Sequence, residues 1–439
     1  MNVLVAVHHF PPTHLGGAER EAFGIARGLQ ARGHAVRVLC VDPTASTDPS
    51  GPSWRDDRYE GLAVRRLAFV PTMAFTAHPT WEYDNPWIGE RLREYIEEDR
   101  PDVFHLIGGY LISARALVVA RALGIPRVVS LTDFWFLCPR VTFLRSDGRL
   151  SDVPPVASAC AQCLGEERRR YRWLGRVAPR AMAAFWRWRG RAVQRVERRT
   201  AFLRDNLAQT DAIVCRSAFV RSTFVASGFD PGRMVTIRQG CDFAGTGVAR
   251  APEGDLSVLR VGYVGQIVWL KGVHVLFEAV GRLLGAALSV RAYGDPTAQP
   301  AYAATLRRMA ARDSRLQLGG VLRSRDEVSR AYRDLDVLVV PSLWYEISPT
   351  VILEAFAHGK PVIGSNLGGI RELVRDQIDG LLFDRGSAES LARQLRRLVE
   401  EPGLRWRLAS GVPRVRSVSD DVDDLEAVYR RASGIGPPR

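Results

Sequence analysis

The sequence predicts an α/β fold made of two successive doubly wound domains with a cleft between them. Three observations predict it. Short apolar runs alternate with amphipathic helical segments, as in a parallel sheet covered on both faces. The rhythm breaks at a stretch rich in Gly, Pro and Ala, 240–255, and then restarts. The 439 residues are enough for two or three domains, each with its own core.

The first unit opens with Val3 to His8, an unbroken apolar run that fits a strand buried on both faces. The loop 10–17 ends in Gly16-Gly17. A helix follows with Ala22, Ile25, Ala26 and Leu29 on one face, closed by Gly33. Ala35 to Val41 is the next strand. The rhythm continues with strand 102–107, helix 111–123, strand 127–131, strand 211–215 and a helix from Ser217. After the break come strand 258–264, helix 273–284, strands 289–293 and 335–340, helix 350–358 and strand 361–364. The expected domains are 1–240, a linker at 241–255, 256–415, and a C-terminal helix at 416–439 that packs back on the first domain. Ser419 is the expected cap of that helix. The acids Asp420, Asp421, Asp423 and Asp424 then suit its positive end rather than a metal.

With 46% hydrophobic and 25% charged residues the chain is not a disordered one. Its net charge is +13, yet only Lys271 and Lys360 are lysines, so the general abundance of Arg says little about partners. No basic leader precedes the first strand, and the apolar stretch 111–129 is cut by Arg115, Arg121 and Arg127. The expected location is cytoplasmic, or peripheral on the inner face of the plasma membrane. Six cysteines do not make a disulfide scaffold.

Pro341 to Glu354 is the most informative segment. A strand ends at Pro341-Ser342, a loop carries Glu346, and a helix starts with Ser348 as cap and Pro349 at its first position. Its free N–H groups, around Ser348 and Thr350, then lie beyond the carboxyl ends of the strands, where open α/β sheets bind ligands. Glu354 lies one turn past Thr350. Two carboxylates placed this way accept hydrogen bonds from a hydroxyl-rich ligand. A second segment, Gly262 to Gly272, runs from strand through loop to helix. Gly265 permits close approach there, and Lys271 adds an ammonium at a helix start, which suits phosphate. Gly16-Gly17 is a third and weaker phosphate loop.

These segments together resemble the retaining glycosyltransferases of family four, which have the GT-B fold of two Rossmann-like domains. Glu346 and Glu354 match the E-x7-E motif. Residues 354–363 look like E-A-x-A-x-G-x-P-V-I, and 368–372 like G-G-x-x-E. The resemblance implies transfer of a sugar from a UDP- or GDP-linked donor, with retention and without a metal or other cofactor. It implies that Glu354 holds the ribose, Glu346 the donor sugar, and Lys271 the leaving diphosphate. Gly16, Gly17, Gly265, Gln266, Ser348, Pro349 and Thr350 line the same ligand. Many relatives carry Arg at Gln266 and His at Thr132, so Asp133 is left as the candidate to orient an acceptor. A saccharide or lipid-linked saccharide of the cell envelope is the expected acceptor, with a soluble small molecule as the alternative. An inactive sugar-nucleotide-binding relative is a further one. A buried, hydrogen-bonded structural role is expected for His105.

Two features stand outside the motif. Cys160 and Cys163 form a C-x2-C half-site for zinc to which Cys138 could add a thiolate, but no fourth ligand is near, and free thiols are the plainer expectation. Residues 165–204 hold thirteen Arg and three Glu, interleaved with aromatics, and read as a basic helical insertion. Such a segment suits an anionic membrane surface. A nucleic-acid role is disfavoured because no recognisable nucleic-acid module accompanies it.

Overall fold

The computed structural model describes residues 1–14, 16–43, 52–243 and 257–436, the side chains of Arg169 and Pro402 excepted. The chain divides into two compact units, Met1–Arg238 together with Val418–Arg439, and Gln239–Ser417. Within the expected linker, Cys241 and Phe243 are buried in the core of the second unit. The rest of it, from 244, lies outside the described residues.

In the first unit the strands are β1 (Asn2–Val7), β2 (Ala35–Val41), β3 (Ser53–Tyr59), β4 (Leu62–Ala68), β5 (Val103–Ile107), β6 (Arg127–Leu131), β7 (Ala212–Cys215) and β8 (Met234–Thr236). They form one sheet in the order β3-β4-β2-β1-β5-β6-β7-β8. Val5 of β1 lies opposite Val38 of β2 and His105 of β5, in parallel register. Only β3 runs antiparallel, joined to β4 through Glu60 and Gly61, both at positive φ as a tight hairpin turn requires. The sequence analysis missed this hairpin. Ser53–Tyr59 is mostly exposed and charged, which suits a sheet edge but leaves no apolar periodicity to read.

The C-terminal helix Val418–Ser433 belongs to this unit. Its Val418 and Val422 fit over Gly24 and Gly28 of the helix Gly17–Ala31; a Cβ at Gly28 would lie 2.7 Å from Val422. Ser419 is not its cap, because the helix already begins at Val418. The acids also do more than meet a helix dipole. Asp421 and Glu21 both hold the buried Arg216 at 2.7 Å, Asp423 pairs with Arg32 at 2.7 Å, and Glu426 accepts from His34 at 2.8 Å. His105 is buried between Ser130 Oγ at 2.8 Å and Tyr429 of the same helix at 2.7 Å, the structural role expected. Between β6 and β7 the chain forms four helices, Ala157–Gly165, Arg169–Val177, Pro179–Trp188 and Gly190–Ala208, a longer helical segment than 165–204.

The second unit has six strands, β9 (Leu259–Val264), β10 (Leu288–Tyr293), β11 (Leu316–Gly320), β12 (Val337–Val340), β13 (Val362–Ser365) and β14 (Gly380–Phe383). They form an all-parallel sheet in the order β11-β10-β9-β12-β13-β14. Helix Ala388–Glu400 lays Leu391, Leu395 and Leu398 into its core, and Ser387 caps it by accepting from the N–H of Ser390. Each such leucine contributes about 1.5–3 kcal/mol by leaving water. Strand order reverses between β1 and β5 in the first sheet and between β9 and β12 in the second. The carboxyl ends of strands at those two places are where ligands bind open α/β sheets.

Candidate active site

At the β9/β12 reversal, two loops meet by their backbones. Gly272 adopts φ +74°, and a Cβ there would lie 1.9 Å from the carbonyl oxygen of Pro341, so only glycine fits. The Leu343 N–H donates to the carbonyl of Leu270 at 2.8 Å, tying the loop after β12 to the loop after β9. Lys271 ends the short turn Trp269–Lys271 and is separated from the helix Val273–Gly281 by Gly272. It is therefore not in that helix's first turn, because the left-handed glycine interrupts the chain between them.

Lys271 is directed at Glu346, with Nζ 2.8 Å from Oε1. The same oxygen accepts from Ser342 Oγ at 2.6 Å and from Trp344 Nε1 at 2.9 Å. Three donors thus hold one oxygen of a carboxylate that is only 5% exposed. The other oxygen, Oε2, has no partner among the described residues. The Lys271 ammonium also sits 5.2 Å from the centroid of the Trp344 ring. The backbone of Glu346 is fixed as well, its carbonyl accepting from Gly369 N–H at 2.8 Å. A Cβ on Gly369 would lie 2.1 Å from the Ile347 carbonyl oxygen, which explains the Gly at this place in the second motif.

Helix Thr350–Ala357 follows. Pro349, not Ser348, is its cap residue, with φ −66° and ψ 110°, and no side chain caps it. Ser348 lies one residue too early to reach the first free N–H groups. Those groups keep the partial positive charge of a helix start. Glu354 is buried on this helix, and its Oε2 accepts from Tyr332 OH at 2.8 Å. Gly265 follows β9, and its own N–H is spent on the Tyr293 carbonyl at 3.1 Å. Its amide does not face a ligand. The Gln266 side chain is exposed, while its carbonyl accepts from Tyr263 OH at 2.7 Å.

The β1/β5 reversal of the first unit gathers a different set. Gly16 precedes the helix Gly17–Ala31, and the Glu19 carboxylate lies under it, 2.5 Å from where a Cβ of Gly16 would be. Glu19 pairs with His8 Nε2 at 3.3 Å. Burial pushes the Glu19 carboxyl up, but His8 more than offsets this and the net direction is down. The Gly16-Gly17 helix start thus already faces an acid of its own chain. Asp133 follows β6 and accepts from the Trp135 N–H at 2.8 Å. Burial pushes its carboxyl up, partly offset by that bond and by His8 and Arg199. Beside it, Thr132 Oγ1 is buried with no partner among the described residues.

The sequence analysis missed Ser342, Trp344 and Tyr332 as neighbours of the two glutamates. Trp344 stands two residues from Glu346 in an irregular loop, and Tyr332 twenty-two residues from Glu354, so no period links them. Cys138, Cys160 and Cys163 line one small pocket, but with Arg140, Arg145 and Ser151 rather than a fourth ligand. No group of three His, Cys, Asp or Glu among the described residues is placed to hold a metal ion. Burial pushes the Cys138 and Cys163 thiols up and that of Cys160 to about 12.

A sequence model of the family described as Glycosyltransferase Family 4 matches residues 15–244, over half of the chain, and one described as Glycosyl transferases group 1 matches 259–401. The chain belongs to glycosyltransferase family 4. This glycosyltransferase has similar relatives in several bacteria. Glycogen synthase of Mycobacterium tuberculosis is 27% identical over 437 residues, covering 96% of this chain and 91% of the relative. A D-inositol 3-phosphate glycosyltransferase of Rhodococcus jostii is 30% identical over 252 residues, covering 52% of this chain and 54% of the relative. The fold is similar to that of sucrose-phosphate synthase of Thermosynechococcus elongatus, with TM-score 0.67 and 18% identity over 98% of this chain and 96% of that one. Anabaena HepE in complex with UDP-glucose matches with TM-score 0.63 and 18% identity over 97% of this chain and 99% of that one. This glycosyltransferase therefore has the GT-B fold, two Rossmann-like α/β units.

Proposed function

We propose that this glycosyltransferase moves a sugar from a nucleotide-diphosphate sugar to a saccharide or lipid-linked saccharide of the cell envelope, with retention at the anomeric carbon. The observation that carries the reading is the Glu346 carboxylate, with one oxygen locked by Lys271, Ser342 and Trp344 and the other open. A carboxylate fixed in this way is ready to accept hydroxyl groups of the donor sugar without reorganising. The solved relative that carries UDP-glucose supports a nucleotide-sugar donor.

In this reading Glu354 accepts the ribose hydroxyls. The free N–H groups of the helix start from Thr350 onward, with Ser348 and Pro349 beside them, lie along the sugar and phosphate. Lys271 gives charge to the diphosphate as the glycosidic bond breaks, and Glu346 then keeps Ser342 and Trp344 as donors. The acceptor oxygen bonds to the anomeric carbon on the face the diphosphate leaves. Its proton passes to a phosphate oxygen of the leaving group, so no metal and no covalent enzyme intermediate are needed. Asp133 is assigned to orienting the acceptor, and Gly16 and Gly17 to a ligand phosphate despite the nearby Glu19. The working location is the cytoplasmic face of the membrane.

A thermal-shift titration with UDP, GDP and their glucose and mannose conjugates tests this. One base should raise the melting temperature in the parent, and Glu354→Ala should lose most of that shift. Glu346→Ala should keep nucleotide binding and lose turnover. Equal shifts in the parent and the Glu354 variant would remove the ribose assignment, and an inverted product anomer would remove retention.

A further inference from the structure

Helices Arg169–Val177 and Pro179–Trp188 pack on each other and bury Tyr171 in part and Met182 and Trp186 almost fully, beside Cys160 and Val196. What they leave outside is unusual. Trp173 is 63% exposed, Val177 64% and Trp188 88%, with Leu174 and Phe185 also exposed. Single exposed apolar side chains are ordinary, but five in sixteen consecutive residues mark a contact surface.

Charge identifies the partner. No Asp or Glu occurs from Arg168 to Val196. Arg168, Arg170, Arg172, Arg176, Arg180, Arg187, Arg189, Arg191 and Arg195 are all exposed. None of them pairs with a carboxylate among the described residues. The two acids just before the run are engaged elsewhere, Glu166 with Gln162 and Ser146, and Glu167 with Arg140, while Glu197 just after it is a single exposed acid. Arg199, in the following helix, is by contrast buried against Glu82 and does not belong to the surface. Indole rings suit the lipid interface, aliphatic side chains such as Leu174 and Val177 suit acyl chains, and guanidinium groups with no carboxylate partner suit lipid phosphates. A nucleic acid would use the arginines and aromatic rings but has no use for exposed Leu174 and Val177.

We propose that the outer face of residues 173–188 is a docking surface for an anionic lipid bilayer. No helix among the described residues is long and apolar enough to cross a membrane, so the contact is interfacial. The inference extends the lipid-linked acceptor proposed above. It can be tested apart from it, because vesicle binding needs neither donor nor turnover.

The test is co-sedimentation of the full-length protein with vesicles of phosphatidylcholine, with and without a quarter phosphatidylglycerol, at low and high salt. Binding to the anionic vesicles should be at least tenfold tighter than to neutral ones and should weaken with salt. Trp173→Ser with Trp188→Ser should weaken it at least tenfold, and Arg176→Gln with Arg180→Gln and Arg187→Gln should flatten the salt dependence. Both sets alter exposed side chains, so unchanged melting temperatures are expected and certify the fold. Absence of binding to anionic vesicles would overturn the proposal, as would equal binding by the tryptophan variant. Tighter binding to an RNA or DNA duplex that ignores the tryptophan changes would overturn it in favour of nucleic acid.

Discussion

Replacing Lys271 by Met keeps the length of the side chain and removes its charge. In the resting enzyme this breaks the 2.8 Å pair with Glu346. At that distance and an effective dielectric constant of ~20 the gross attraction is about 6 kcal/mol. Lys271 is about a quarter exposed, and solvent screening and lost side-chain freedom reduce the net contribution to about 1 kcal/mol. Ser342 and Trp344 still hold Glu346 in the variant, so the melting temperature should fall by only a few degrees. In the proposed reading the leaving diphosphate gains its extra charge beside Lys271 only as the bond breaks. Loss of a cation there costs about 3–4 kcal/mol, a fall of ~10²–10³ in kcat/KM. The assay is initial-rate kinetics over a donor series, with denaturant unfolding of the same preparation. A variant within threefold of the parent in kcat/KM would refute the diphosphate role. A variant that lost stability and activity in proportion would make Lys271 a structural partner of Glu346.

Four further outcomes follow from the geometry. Trp344→Phe removes one of three donors to Glu346 Oε1 and should lower kcat roughly tenfold with little change in donor KM, at ~1.5 kcal/mol for a bond to a charged acceptor. Arg216→Met leaves Glu21 and Asp421 buried without their cation and should cost about 3–5 kcal/mol of first-unit stability in urea unfolding. Burial lowers His105 from 6.5 to about 3, so the unfolded chain takes up a proton between those values and the native one does not. Stability therefore falls as the solution is acidified below pH 6.5, by about 2 kcal/mol at pH 5, and His105→Asn should remove that part of the slope. Gly272→Ala would drive a Cβ to 1.9 Å from the Pro341 carbonyl, so the loop holding Lys271 must move. Activity should drop sharply even where circular dichroism shows the fold kept.

The parallel strands and the main motifs were legible because their signals are local. Val3 to Val7 and Val337 to Val340 are unbroken apolar runs, and such runs fit only strands covered on both faces. Glu346 and Glu354 stood out by their place around a helix start and by the match to the E-x7-E motif. The β3–β4 hairpin was not legible, because an exposed edge strand has no buried face to write a pattern. The cap was misplaced by one residue because the usual preferences, Ser at the cap and Pro at the first helical position, point to Ser348, and only the backbone angles show Pro349 in that place.

The sequence by itself determined the fold class, the family, the two glutamates, the single lysine of the site and the basic segment. Each depends on neighbours in the chain or on composition. Only the tertiary structure decided that Lys271 reaches Glu346 across seventy-five residues, that Tyr332 holds Glu354, and that the acids of the last helix neutralise Arg216 and Arg32. It also divided the basic segment into a buried Arg199 and exposed Trp173 and Trp188. Those are contacts between strands and helices far apart in sequence, and their partners are chosen by packing and burial, which no local spacing encodes.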